Sequence, residues 1–378
     1  MLLICKDKKP VYDLVETTKG YDFVNVNFIN HKRMLRNKSG GGFKVHSTNN
    51  EDEFIHDILL LQGKTYQEIV EKYPLGYKYD GIIKKEKRDL LGATGFENLN
   101  EVFKVLNTLC NYVVLRNQDE LTYLDQSKEH PDVDLLVEDR HQVAMLLNGK
   151  PKSKIETLVQ YAVTVAGKKY DFDLRYIGDN YYCKKWEEDI LKNRIFVDGV
   201  YVPDKRDQFY SLLYHALIQK RTNNYSAKLN LLKESLDIKG DSVGDFFNSM
   251  IGFMKSKNYD FTSPDDSTVY FNPIIADFVN IKNFLESRFD ISDIKIIVAE
   301  LSHKYTLLMK GVFSGINVFI KYYYTDEFVS NEFHKAEILY RLNPSNFCKP
   351  LFYSSGKGYG FVVTEWIDGV SLSNYLRT

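Results

Sequence analysis

Two short stretches of this chain place aspartates at every second position of an otherwise apolar run: Asp132-Val133-Asp134-Leu135-Leu136-Val137 and Tyr170-Asp171-Phe172-Asp173-Leu174. Period-two alternation is the mark of a β-strand with one packed and one open face, so each stretch predicts a strand carrying two carboxylates on one side. A helix would scatter the same residues around its circumference. Like charges this close repel, and the arrangement is tolerable only where water screens them or a cation lies between them. Mg2+ (or Mn2+) suits such a place, because it takes hard oxygen ligands and keeps positions for water and phosphate oxygens. The alternative is a pair of solvated strand ends.

The chain has 378 residues, 44% of them hydrophobic, and 50 basic residues against 51 acidic. That length suggests two to three domains, and the composition excludes disorder and fibres. The even charge balance encodes no global attraction to nucleic acid or to an anionic bilayer, so any polyanion site must be local. Apolar runs such as Tyr112–Leu115 fall far short of the ~20 residues that span a bilayer, and no membrane span is expected. Met1–Cys5 is too short for the apolar core of a secretory signal, and Cys5, Cys110, Cys183 and Cys348 are too scattered for a zinc site or a disulfide framework. A cytoplasmic location is the expectation.

Local punctuation gives the organisation. Ser39-Gly40-Gly41-Gly42 reads as a loop, since no Lys-Ser/Thr follows to make it a phosphate cradle. Thr48, Asn49 and Asn50 offer caps to a helix with the stripe Phe54, Ile55, Ile58 and Leu59, ended by Gly63. Asn98 to Glu101 caps a second helix that feeds a strand at Tyr112–Leu115. After the first acidic strand comes a helix with Val143, Leu146 and Leu147 inward, then two alternating strands around Gly167-Lys168. From Asp204 to Lys257 the signal is helical, with stripes Phe209, Leu212, Leu213, Ala216, Leu217 and Val243, Phe246, Phe247, Met250, Ile251, Met254. Thr262-Ser263-Pro264-Asp265-Asp266 breaks the pattern and predicts a linker. His215 is a candidate ligand, although a lone His on a semi-apolar helix is more often packed and hydrogen-bonded.

The Asp132/Asp134 strand, followed by a strand reading Phe172-Asp173-Leu174-Arg175, resembles the polymerase-beta-type nucleotidyltransferase superfamily, and in particular nucleotidyltransferase-like proteins of surface polysaccharide gene clusters. The resemblance implies Asp132, Asp134 and Asp173 as catalytic and metal-holding residues. Two ions would clamp the α-phosphate, activate an attacking hydroxyl and stabilise the leaving pyrophosphate. Asp134 and Asp173 would lie nearest the attacking group, and Asp132 nearest the triphosphate. The family's Gly-Ser pair before the double Asp is replaced by Leu115-Arg116-Asn117-Gln118-Asp119. Arg116, Asn117 and Arg175 are the expected nucleotide contacts on this side, Arg116 as a charge-assisted fork in place of the missing phosphate grip.

From Ile294 onward the order is three strands, a helix and two strands. Val318-Phe319-Ile320-Lys321 and Val363-Thr364-Glu365-Trp366-Ile367-Asp368-Gly369 resemble the lysine strand and hinge of a protein-kinase-like small lobe. The resemblance implies Lys321 as a phosphate lysine and Glu365 to Ile367 as hinge backbone, with Glu332 or Glu337 holding the lysine. Phe328, Glu332, Lys335, Leu339 and Leu342 form the helical stripe expected to face inward. The loop Leu301-Ser302-His303-Lys304 lacks glycine, and the catalytic elements of a kinase would follow the hinge, so no kinase chemistry and little ATP binding are expected of these residues. Either the protein continues into a large lobe or this lobe docks a protein partner.

The combined expectation is a multidomain chain of α/β and α+β class. Residues 1–90 form an accessory region, 91–257 a nucleotidyltransferase-like mixed sheet with C-terminal helices, 258–289 a linker and helix, and 290–378 a kinase-like antiparallel sheet plus helix without a large lobe. The expected function is metal-dependent transfer of a nucleotidyl group from a nucleoside triphosphate to a hydroxyl or phosphate on a sugar, glycan or lipid-linked acceptor, in polysaccharide biosynthesis. Two alternatives stand beside it. One is a glycosyltransferase or a sugar or lipid kinase of glycan assembly that uses a sugar nucleotide; the other is a non-catalytic binding module.

Overall fold

The computed structural model describes residues 2–17, 20–74, 76–78, 81–82, 85, 87, 89–118, 132–220, 225–238, 243–272, 277–298 and 306–368. The fold is mixed α/β with several sheets, and the chain divides into two compact units. The first takes in the residues up to Lys154 together with Val159–Leu174 and Phe196–Tyr201, and the second holds the remainder. Among the described residues no helix is long and apolar enough to cross a membrane. Leu301–Lys304 and Gly369, the last residue of the expected hinge, lie outside the described residues.

In the first unit, β1 (Tyr12–Thr17) and β2 (Gly20–Asn25) form an antiparallel hairpin. Helices α1 (Val26–Lys38), α2 (Glu51–Gln62), α3 (Tyr66–Lys72) and α4 (Leu99–Leu109) follow. Their ends are set by local chemistry. Asn50 accepts from the Glu53 amide and Asn98 from the Glu101 amide, each satisfying a donor that the first helical turn leaves without a partner. Gly63 closes α2 at φ 62°, a left-handed conformation that favours glycine. The inward stripe of α4, Val102, Phe103, Val105 and Leu106, is fully buried, and Phe103 stacks on Tyr112 of β3 (Tyr112–Val114).

The central sheet of this unit runs β3-β4-β7-β6-β5, with β4 at Asp132–Val137, β5 at Lys150–Pro151, β6 at Gln160–Val165 and β7 at Lys168–Tyr176. Helix α5 (Arg140–Leu146) follows β4 and buries Val143 and Leu146, as its spacing predicts. Strands β6 and β7 are joined by Ala166 and Gly167, at φ 51° and 75°. Two successive positive φ values match the twist of an antiparallel hairpin, so this short turn fixes the register Gln160↔Asp173 and Ala162↔Asp171. Tyr170, Phe172 and Leu174 then point to the buried face while Asp171 and Asp173 stay half-exposed. Burying Phe172 and Leu174 contributes about 1.5–3 kcal/mol each, which drives the acidic face outward.

The second unit contains helix α6 (Lys184–Lys192); the two-stranded ribbon that follows, β8 (Ile195–Val197) and β9 (Val200–Val202), belongs largely to the first unit, and α7 (Lys205–Tyr214) returns to the second. A π-helical turn, His215–Gln219, extends α7, and α8 (Ser226–Ser235), α9 (Val243–Lys257) and α10 (Phe278–Phe289) complete the helical layer. The Phe209, Leu212, Leu213, Ala216, Leu217 stripe is buried as expected. In α9 the buried residues are Phe247, Met250, Phe253 and Met254. Trp186 lies at the centre, in ring contact with Tyr182, Tyr214, Phe253 and Tyr259, and its Nε1 donates to Asp207 Oδ1 at 2.9 Å.

Thr262–Asp266 is not an exposed linker. Thr262 Oγ1 donates to the Asn180 carbonyl at 3.0 Å, the Asp265 amide donates to the Asp179 carbonyl at 3.0 Å, and Asp266 is buried. The polar composition that marks a loop in sequence here serves buried hydrogen bonds.

An antiparallel sheet ends the described chain in the order β10-β11-β12-β14-β13. Its strands are Ile291–Val298, Thr306–Phe313, Ile316–Tyr323, Pro350–Gly356 (β13) and Tyr359–Glu365 (β14), and helix α11 (Val329–Leu342) connects β12 to β13. Of the helical stripe expected to face inward, Glu332 meets Lys321 on the sheet, but the large apolar members do not face inward. Phe328, Leu339 and Leu342 are 61%, 41% and 77% exposed, and α11 packs instead through Val329 and Phe333 onto Tyr323, Val362 and Tyr353. Periodicity marks an apolar stripe but does not say which face a neighbour covers.

Candidate metal centre

Asp132 and Asp134 on β4 and Asp173 on the neighbouring β7 converge. Each offers a carboxylate oxygen, and the three oxygens all lie within 4.8 Å of one another. Strand pairing and period two produce this directly, because adjacent strands approach within about 5 Å and alternate residues share a face. Oxygens bound to one Mg2+ at 2.0–2.1 Å are about 3 to 4 Å apart, so three oxygens held within 4.8 Å of one another are compatible with one ion.

Arg116 is the fourth member. The Leu115 amide donates to the Asp134 carbonyl at 2.9 Å, which continues the β3–β4 pairing past the end of β3, and Asn117 then turns away at φ 58°. Held beside Asp134, the Arg116 guanidinium forks its carboxylate, Nη2 to Oδ1 at 2.8 Å and Nε to Oδ2 at 3.1 Å. Both side chains are nearly buried, at 9% and 13% exposure. Three carboxylates against one guanidinium leave a formal surplus of two negative charges, the charge of one divalent cation.

The surplus is visible in the acid–base balance. Burial, then the charges of Asp134 and Asp173, push the Asp132 carboxyl up to about 7 from its usual 3.8, with Arg116 pulling the other way. Asp132 stands exposed at the start of its strand, so water softens the burial penalty and the neighbouring carboxylates are the durable cause. Asp171, farther along the same face of β7, is engaged by Lys152 at 2.7 Å. Hard oxygen donors, a net negative charge and a half-open face together suit Mg2+ or Mn2+.

Expected site residues in the second unit have partners of their own. Arg175, two residues after Asp173, is buried with its guanidinium 3.0 Å from Asp266 and 4.4 Å above the Tyr181 ring. Asp179 and Glu187 complete that second cluster. Glu187 accepts from the Gly178 and Tyr182 amides at 2.7 and 3.1 Å, and burial together with Asp179 pushes its carboxyl up to about 8. His215 is buried and hydrogen-bonded, Nδ1 to the Tyr181 hydroxyl at 2.8 Å and Nε2 to the Tyr225 hydroxyl at 3.3 Å, as a packed histidine would be.

In the terminal sheet, Lys321 Nζ lies 2.9 Å from Glu332 Oε1, and the Tyr323 hydroxyl donates to the same carboxylate. Glu337 pairs instead with Arg341 and His334 on its own helix. The amides of Glu365 and Trp366, expected as hinge backbone, donate to the Lys349 and Asn317 carbonyls, while the Ile367 side chain is exposed. The pairing of Arg116 with Asp134 and the Asp179–Glu187–Asp266 cluster were not foreseen. An arginine two residues past a short strand that pairs with an acidic one was the available signal for the first; the second joins residues too distant in sequence to leave one. Comparison with known protein families, with curated proteins and with solved structures finds no match for this chain.

Proposed function

We propose that this chain is a divalent-metal-dependent nucleotidyltransferase, transferring a nucleotidyl group from a nucleoside triphosphate to a hydroxyl or phosphate of a sugar, glycan or lipid-linked acceptor. The observation that carries the reading is the convergence of Asp132, Asp134 and Asp173 from two neighbouring strands to within 4.8 Å. Mg2+ or Mn2+ bound there would polarise the transferring phosphate and lower the pKa of an attacking hydroxyl. The protein's own part is to hold three carboxylates on a rigid sheet and to present Arg116 beside them as a phosphate-matched fork. The Lys321–Glu332 pair supports the kinase-like reading of the terminal sheet.

The test is direct. Full-length chain with Mg2+, each of the four nucleoside triphosphates and a pool of sugar, glycan and lipid-linked acceptors is expected to release pyrophosphate and label a product. No pyrophosphate with any nucleotide from a folded, Mn2+-binding chain would overturn the transferase reading. That result would favour a binding module, the reading to which Arg116 lends weight by already occupying Asp134.

A further inference from the structure

Arg116 poses a problem for any ion at this site, since it already engages both oxygens of Asp134. A carboxylate has about four lone-pair positions, so the fork leaves some open, but its positive charge lies where a cation must come. The interaction is also built in: the backbone pairing at Leu115 and the left-handed turn at Asn117 hold the arginine in place, and its side chain is nearly buried.

We propose that Arg116 is a positioning residue that acts as a removable counter-ion. While the acidic face holds no divalent ion, Arg116 neutralises Asp134 and keeps that strand from splaying under repulsion. When an ion binds, Arg116 gives up at least one Asp134 oxygen and its guanidinium turns to a phosphate oxygen of the incoming triphosphate, the planar fork suiting carboxylate and phosphate alike. Metal and triphosphate are thereby coupled, each favouring the arrangement the other needs. The inference rests on the metal-site reading above.

Calorimetry with Mn2+ alone, and then with inorganic tripolyphosphate at saturating Mn2+, tests it on the full chain, Arg116→Gln and Arg116→Lys. Arg116→Gln is expected to bind Mn2+ alone roughly tenfold more tightly and tripolyphosphate roughly tenfold more weakly, with Arg116→Lys between. Opposite changes in the two affinities cannot come from a general loosening of the fold. Equal or weaker Mn2+ binding by both variants would overturn the counter-ion role while leaving the metal site standing. No Mn2+ binding by any of the three folded chains would overturn the metal reading and this inference together.

Discussion

Three carboxylates and one arginine occur twice in this molecule, with opposite outcomes. Around Arg175, the acids Asp179, Glu187 and Asp266 are sealed from water, and each is met by donors: Asp266 by the Thr268 amide and hydroxyl, Glu187 by two amides, Asp179 by the Tyr181 amide. Around Arg116, the acids face outward from a sheet, and the guanidinium forks Asp134. The first cluster spends its charge on cohesion. The second is the cluster proposed to take a cation, and the two differ in local donors and burial rather than in residue type.

Substitutions can break this comparison. Asp132→Asn is expected to lower turnover by at least ~10³-fold, measured as pyrophosphate release, because it removes an oxygen ligand. It should not cost stability. The folded Asp132 carboxyl titrates near 7 instead of 3.8, so the native state binds the proton more tightly across pH 4 to 7 and loses stability as pH rises through that window. Asp132→Asn should therefore melt higher than the unaltered chain at pH 8 and equally at pH 4, and a lower melting point at pH 8 would place Asp132 in the structural class. Asp266→Ala should do the reverse, losing about 3–5 kcal/mol in urea denaturation by leaving Arg175 buried beside too few acids.

A smaller effect sharpens the same contrast. Mn2+ must displace the Asp132 proton, so its affinity should rise with pH and level off above about 7, whereas a pH-flat isotherm between 5 and 8 would remove Asp132 from the site. Smallest of all, Lys321→Met breaks an ion pair whose side chains are 35% and 37% exposed, and should cost no more than about 1 kcal/mol. A larger loss would make that pair a structural element of the terminal sheet.

Much of the candidate site was legible in sequence because a strand's period of two is rigid: once Phe172 and Leu174 are buried, Asp171 and Asp173 have only one direction to take. Helix ends at Asn50, Gly63 and Asn98 were legible for the same local reason. What sequence could not carry was partnership over distance. Nothing near Arg175 announces Asp266, and the polar run containing it reads as a linker until its hydrogen bonds are seen. The α11 stripe was right for Glu332, which meets Lys321, and wrong for Phe328, Leu339 and Leu342, which no neighbour among the described residues covers.

The turn at Ala166 and Gly167 has one further consequence, for anyone altering this protein. Inserting or deleting a single residue there would slide β7 by one position against β6, turning Asp173 into the apolar interior and Phe172 toward solvent. Loop grafts, tags and length-randomised libraries should therefore avoid this hairpin, where a change in spacing would do more harm than most changes in chemistry.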